Sequence, residues 1–394
     1  MSDTVKTNSS EKPDYSHLYE KLDQILDNVI RIPGRPAWIV LCGYHMGETS
    51  YFCALAEEFL KAHGHGIILV VTPSQQLVAQ MYVHRFLKIV TVNDDCMRYM
   101  LRSGYIPNDR FELDQPMSGC TFDLAFAFSG LTTLFRFPGR GGISTTDLHR
   151  ISLRLPWNAR LEAPRILAEW EDEAWQIAKN VGLRIGRSVL LCPISNSSRK
   201  MTDIFWEETA ARLNEKGYKV FTNMGGLNTI NGLTTMPIKN TIPVNLPVHL
   251  VIPFIYFAGR VISSGNGMLN LIKMACLDNY KITYVMNALT NEDDNYSSTC
   301  LVPYSSHTRQ MLTVLYSSQY QFPELCSQTR MDEFLIPDID SNASPDELRR
   351  LAVVVADQNT NDPSCHKRLE TNGKLFVTEH ADHLKTLTKW TLNG

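Results

Sequence analysis

The sequence predicts an α/β protein of two domains that face each other across a cleft. Three observations carry this. A short apolar strand over Ala37–Cys42 runs into a loop of small polar residues at 43–50, then into a helix through Phe59. The same scheme returns as a strand over Ser188–Cys192, a polar loop at 193–203 and a helix through Leu213. After each opening, apolar strands alternate with amphipathic helices, the pattern of parallel sheets covered on both faces. A small polar loop at a helix N-terminus offers free backbone N–H groups and a positive dipole end, which suits phosphate.

Size and composition narrow the class. A chain of 394 residues favours two domains with extra tails. Apolar residues at 44 % and charged residues at 20 % are ordinary for a soluble globular enzyme. A net charge of −3 argues against a general nucleic-acid binder, which is usually basic. No uninterrupted apolar run approaches the ~18–20 residues that span a bilayer. Residues 1–13 are polar and lack the apolar stretch of a signal peptide, so they read as a disordered leader. Nine cysteines, an odd number without Cys-x-x-Cys spacing, read as reduced and buried thiols of a cytoplasmic protein. They supply no zinc or disulfide framework.

The elements follow in order. Residues 15–32 form an amphipathic helix with Leu18, Leu22, Ile25, Leu26 and Val29 on one face, ended by Pro33, Gly34 and Pro36. After the first strand come a helix at 49–62, a turn at 63–66, a strand at 67–72 and a helix at 74–86. A strand at 88–92, a helix at 94–103 and a strand at 122–128 complete the N-terminal domain. A helix at 161–181 links the halves. The second half has helices at 203–216, 247–258 and 267–276, with Gly217 as a helix stop. Its strands lie at 188–192, 219–223, 260–263 and 281–286, and 225–245 reads as loop. Beyond Asn291 the pattern decays, with terminal helices at 344–357 and 378–392. The expected organisation is a leader and helix (1–33), an N-terminal domain (34–155), a linker (156–186), a C-terminal domain (187–335) and a helical tail (336–394).

Three loops carry residues suited to chemistry. The first is Gly43-Tyr44-His45-Met46-Gly47-Glu48-Thr49-Ser50, whose glycines allow a sharp turn or a close approach to a ligand. Glu48 stands where the helix begins. Its carboxylate either complements the helix dipole or acts as a general base in the cleft, with His45 as the second candidate. The loop is not G-x-G-x-x-G, and no G-x-x-x-x-G-K-[ST] occurs, which disfavours a dehydrogenase or a P-loop kinase. The second loop is Pro193-Ile194-Ser195-Asn196-Ser197-Ser198-Arg199-Lys200. Hydroxyls and amides beside two adjacent cations suit a diphosphate, and open α/β sheets bind ligands just beyond their strands. The third, Ser263-Ser264-Gly265-Asn266-Gly267-Met268-Leu269-Asn270, either presents N–H groups to the same phosphate or is a structural tight turn.

Other signals are weaker. His63 and His65, interleaved with Gly64 and Gly66, read as a helix-to-strand turn rather than metal ligands. Asp338-Ile339-Asp340 follows Pro337 and reads as a turn rather than a divalent-ion site. Arg136, Arg140 and their neighbouring glycines form a basic loop, either simply exposed or facing an anionic acceptor.

Together the three loops resemble the family 9, heptosyltransferase-like glycosyltransferases. That family has the GT-B fold of two facing Rossmann-like domains with parallel sheets. It opens with Gly-Asp near the first strand, then a helix with an Ala-Leu pair. Gly47-Glu48 and Ala54-Leu55 occupy similar places, with Glu for Asp and the spacing one residue shorter. Its second domain has a strand, a Ser/Thr loop, a Lys, a Trp and a helix. Ser195, Ser197, Arg199 or Lys200, and Phe205-Trp206-Glu207-Glu208 are similar. Gly267, Met268 and Leu271 match a later Asp-Ser/Thr-Gly-(Leu/Met)-x-His-Leu motif, whose acid and His are absent here. The resemblance spans residues 40–270.

The resemblance implies an inverting glycosyltransferase of bacterial surface polysaccharide synthesis. It would move a sugar from a nucleotide-activated donor to a hydroxyl of a glycan or lipid-linked glycan acceptor. Glu48 would be the base. Ser195, Ser197, Arg199, Lys200, Ser264, Gly265, Asn266 and Gly267 would hold the diphosphate. The nucleotide-sugar is a co-substrate, and neither a cofactor nor a metal is expected. Nucleic acid is not an expected partner, while peripheral membrane contact stays open. Two alternatives remain: a nucleotide-sugar epimerase, and a non-catalytic binding protein that retains the fold.

Overall fold

The structure is a computed structural model of the chain. It describes residues 32, 37–43, 46–102, 121–123, 149–150, 153–156, 159–194, 201–224, 236–264, 266–275, 281–287, 331–336 and 344–361. The expected helices at 15–32 and 378–392, the basic loop at Arg136 and Arg140, and the Asp338-x-Asp340 turn lie outside them.

Two parallel sheets form. The first contains β1 (Ala37–Cys42), β2 (Gly66–Val71), β3 (Lys88–Thr91) and β4 (Thr121–Asp123), in the order β3-β2-β1-β4. The second contains β5 (Ser188–Cys192), β6 (Lys219–Asn223), β7 (Ile242–Val244), β8 (Arg260–Ser264), β9 (Lys281–Asn287) and β10 (Met331–Ile336). Its order is β10-β9-β8-β5-β6-β7. Counted from β5, this is the 3-2-1-4-5-6 order of doubly wound nucleotide-binding sheets. The first sheet begins the same way, as 3-2-1-4. The order reverses between β1 and β4, where Val40 pairs with Phe122, and between β5 and β8, where Leu191 pairs with Ile262. The α/β class with two Rossmann-like parallel sheets is therefore as the sequence predicts.

The helices are α1 (Met46–His63), α2 (Gln76–Gln80), α3 (Asp94–Arg102), α4 (Ala168–Asn180), α5 (Asp203–Glu215), α6 (Val248–Ala258), α7 (Gly267–Met274) and α8 (Pro345–Thr360). Parallel strands covered on both faces alternate between two cores. Along β1, Trp38, Val40 and Cys42 join a buried cluster with Phe52, Leu55 and Phe59 of α1. Ala37, Ile39 and Leu41 join another with Met97 and Met100 of α3. Along β5, Leu190 and Cys192 share the first cluster with Phe254 and Ile255 of α6. Val189 and Leu191 face Phe205 and Leu213 of α5 and Val355 of α8. One apolar cluster thus runs from the first sheet through α1 and α6 into the second sheet. Each large side chain in it is worth about 1.5–3 kcal/mol on burial.

Local chemistry sets the helix ends. At the end of α5, Tyr218 N–H donates to the Leu213 carbonyl (3.0 Å) and Gly217 N–H to that of Asn214 (2.8 Å). Gly217 has φ +80°, the left-handed conformation this paired closure needs. The expected stop is real. At the other end of the chain, α8 lies on α5 with its C-terminal turn among cations. Asp357 pairs with Arg212 (2.9 Å) and Lys216 (2.8 Å), and Lys281 Nζ donates to the Gln358 carbonyl (2.7 Å). Cations there meet the negative end of the helix dipole.

Four expectations about elements change. The helix expected at 74–86 breaks into a 3-10 turn at Pro73–Gln75, the short α2 and a second 3-10 turn at Val83–Arg85. The cause is tertiary: the Met81 carbonyl accepts from Arg165 N–H (3.1 Å), and Tyr82 OH donates to the Glu162 carbonyl (3.2 Å). The helix expected at 161–181 begins only at Ala168. Its first residues run extended along the first lobe, where Glu162 N–H donates to the Ala54 carbonyl (2.8 Å). Strands β7 and β10 were not foreseen, because short strands at the sheet margins carry too few apolar residues to show a period.

The same extended segment brings Glu162 to a cluster of charges. Arg85 Nε donates to Glu162 Oε2 (2.6 Å), His84 Nε2 lies 2.8 Å from Oε1, and Arg85 also pairs with Glu57. Burial alone raises the Glu162 carboxyl, but the hydrogen bonds from His84 and Arg85 outweigh it and lower the pKa from 4.5 to about 2. The charged form therefore stabilises the fold fully above the ordinary value, and this contribution is lost as pH falls through about 2. Glu162→Gln is expected to cost about 2 kcal/mol at neutral pH, after discounting for partial exposure. Urea midpoints of the two proteins should converge as the pH approaches 2. Midpoints that stay equally far apart at every pH would show that the cluster is not the cause.

Candidate functional site

The site lies where the strand order of each sheet reverses, since the loops there diverge and leave a crevice beyond the strand ends. In the first sheet, β1 leads through Gly43 into α1. This helix begins at Met46, earlier than the sequence pattern indicates, so Gly47 and Glu48 stand inside its first turn. Glu48 is half-buried there. In the second sheet, β8 leads through Asn266 into α7, whose first residue is Gly267.

These two helix starts touch. A Cβ built on Gly267 would lie 2.7 Å from the Gly47 backbone nitrogen and 2.9 Å from Met46 Cβ. A Cβ built on Gly47 would lie 2.7 Å from Asn270 Nδ2 and 3.6 Å from Gly267 Cα. Only glycine permits this approach. One turn further along, Tyr51 OH stands 3.5 Å from Asn270 Oδ1, and the Tyr51 ring stacks on His149 at 4.6 Å. Two positive helix ends therefore converge, with free N–H groups in their first turns. Such a junction favours an anion.

The loop that follows β5 is fastened to the same junction. Ser264 Oγ donates to the Pro193 carbonyl (2.8 Å), and Asn266 Nδ2 donates to the Ile194 carbonyl (2.9 Å). Asn266 Oδ1 accepts from Leu269 N–H (2.8 Å), which caps α7. Asn223, at the end of β6, accepts from Leu246 N–H (3.2 Å) and reaches the Met268 sulfur (3.7 Å). Cys192, the last residue of β5, is buried, and burial pushes its thiol up to about 12 despite an opposing hydrogen bond from Asn223. It stays protonated and is no nucleophile.

Of the expected site residues, the structure brings Glu48, Ser264, Asn266 and Gly267 to one junction. His45, Ser195, Ser197, Arg199, Lys200 and Gly265 lie outside the described residues. The Ser264 and Asn266 side chains are engaged by the loop after β5, so their part in holding an anion falls to backbone N–H groups. His63 closes α1 and bonds the Leu153 carbonyl (2.8 Å), as a turn residue does. Sequence reasoning missed Tyr51, His149 and Asn270, which are distant in the chain. A signal for the seam was present: each of two switch-point helices carries a glycine in its first turn, where no turn requires one.

No family model and no curated protein matches this chain. Solved structures do. A glycosyl transferase family 9 protein from Veillonella parvula is 13 % identical, with 89 % of this chain and 100 % of that chain covered at a TM-score of 0.46. The ADP-heptose LPS heptosyltransferase II of E. coli is 9 % identical, with coverage of 82 % and 99 % at 0.47. The E. coli heptosyltransferase WaaC, solved with ADP-2-deoxy-2-fluoro heptose, is 11 % identical, with coverage of 82 % and 98 % at 0.41. These are distant likenesses.

Proposed function

We propose that the chain is a glycosyltransferase that uses a nucleotide-activated sugar. The observation that carries this reading is the contact between the two switch-point helices at Gly47 and Gly267. It sets a carboxylate of one lobe beside the anion-favouring turn of the other.

In this reading the diphosphate lies against the start of α7 and the loop after β5. Backbone N–H groups, Ser195, Ser197, Arg199 and Lys200 hold it and stabilise the negative charge that grows as it leaves. Glu48 takes the proton of the acceptor hydroxyl as the new glycosidic C–O bond forms and the bond to the diphosphate breaks. Attack from the side opposite the leaving group inverts the anomeric carbon. His45 is the second candidate base. The acceptor is a glycan or lipid-linked glycan, consistent with surface polysaccharide synthesis in the cytoplasm. No helix among the described residues is long and apolar enough to cross a membrane.

Glu48→Gln tests the chemistry. It should lower turnover about 10²–10⁴-fold on an accepted donor while nucleoside diphosphate affinity stays within twofold. Wild-type turnover in this variant would remove Glu48 from the mechanism. Incubating donors without an acceptor separates transfer from epimerisation, because an epimerase converts the donor alone.

A further inference from the structure

We infer that Asn266 is a positioning residue that locks the loop after β5 to the capped start of α7, so that both halves of the diphosphate site form as one rigid unit. This rests on the function proposed above.

The Asn266 amide uses both of its ends. Its oxygen caps α7 through Leu269 N–H (2.8 Å), and its nitrogen donates to the Ile194 carbonyl (2.9 Å). Ser264 adds a second tie, from the preceding strand to the Pro193 carbonyl (2.8 Å). Two consecutive carbonyls are thus held by one short turn, and the chain enters 195–200 from a fixed point. Many polar residues cap a helix. Only an amide side chain of this length caps and donates at once: Ser and Thr are shorter, and Asp has no N–H. Asparagine also stands where the resembling motif has Ser or Thr ahead of its glycine, and those residues could cap but not make the tie. A loop that carries binding groups costs less to order on binding when it is already held. Asn266 therefore acts on affinity through the loop without touching the reacting atoms.

Asn266→Ser separates the two roles, since serine keeps a neutral cap and removes the tie. It is compared with wild type, Asn266→Ala and Arg199→Ala. The probes are ADP, UDP, GDP and dTDP by calorimetry, amide exchange of a peptide covering 193–202, and the unfolding midpoint. Asn266→Ser should keep the wild-type midpoint, exchange at least tenfold faster in that peptide, and bind the preferred diphosphate about tenfold more weakly. With an accepted donor, KM should rise and kcat should hold. Asn266→Ala should show the same losses and also a lower midpoint. If Asn266→Ser exchanges like wild type, the tie does not hold the loop and the inference is overturned. If exchange quickens but affinity is unchanged while Arg199→Ala loses it, Asn266 does not serve the site and the inference is again overturned, with the proposed function intact. If wild type binds none of the four nucleotides and Arg199 is immaterial, the proposed function fails. The exchange data then decide alone whether Asn266 locks the loop.

Discussion

Gly267→Ala should force the two lobes apart. The added methyl would meet backbone and Cβ atoms of Met46 and Gly47 at 2.7–3.2 Å, and no flexible side-chain tip is there to yield. Overpacking of this kind costs about 1–3 kcal/mol. The gain in local helix propensity from glycine to alanine, about 1 kcal/mol at most, does not offset it. The functional loss should be larger than the loss of stability. Misplacing reacting groups by an ångström costs on the order of 10²-fold in rate. The check is turnover together with urea unfolding. Gly217→Ala serves as a control, because that glycine closes a helix far from the seam. Wild-type turnover in a folded Gly267→Ala protein would mean that the helix contact plays no part in the site.

Arg260→Ala should be the most destabilising single change at the second sheet. Arg260 opens β8 and is fully buried. Its guanidinium donates to the Asn359 carbonyl and lies over the Tyr218 ring at 5.4 Å. The Asn359 side chain in turn donates to Thr283 Oγ1 (2.8 Å) and to the Val261 carbonyl (3.3 Å). Arginine thus ties the end of α8 to the centre of the sheet. Truncation leaves a cavity and removes a buried donor, at a cost of about 3–5 kcal/mol. Arg260→Met fills most of the volume without a charge and should recover part of the loss. Lys281→Ala removes the more exposed cation from the same helix end and should cost under about 1 kcal/mol. Denaturant midpoints of the three variants test this order, and equal losses for Arg260→Ala and Lys281→Ala would contradict it.

Much of the architecture is legible in the chain. Strands β1, β5 and β6 lie at the expected residues because each is a short apolar run bounded by turn residues. Gly217 marks its helix end by the same local logic. The positions of the candidate loops were legible too, since each follows a strand and precedes a helix. Less legible were the segments whose backbone bonds go to distant partners. The 161–167 stretch has helical periodicity, yet its N–H groups are taken by Ala54 and Met81. The break in the 74–86 helix has the same origin.

Periodicity and turn chemistry act over a few residues, so the chain alone determined the α/β class, the two openings and the residue types at the loops. Which loops meet depends on strand order, and strand order is set by packing between segments far apart in the chain. Only the tertiary structure decided that β5 lies between β6 and β8, that Gly47 rests on Gly267, and that one asparagine both caps a helix and ties a loop. These are contacts across more than 70 residues of chain or between different lobes, where no local pattern records the partner.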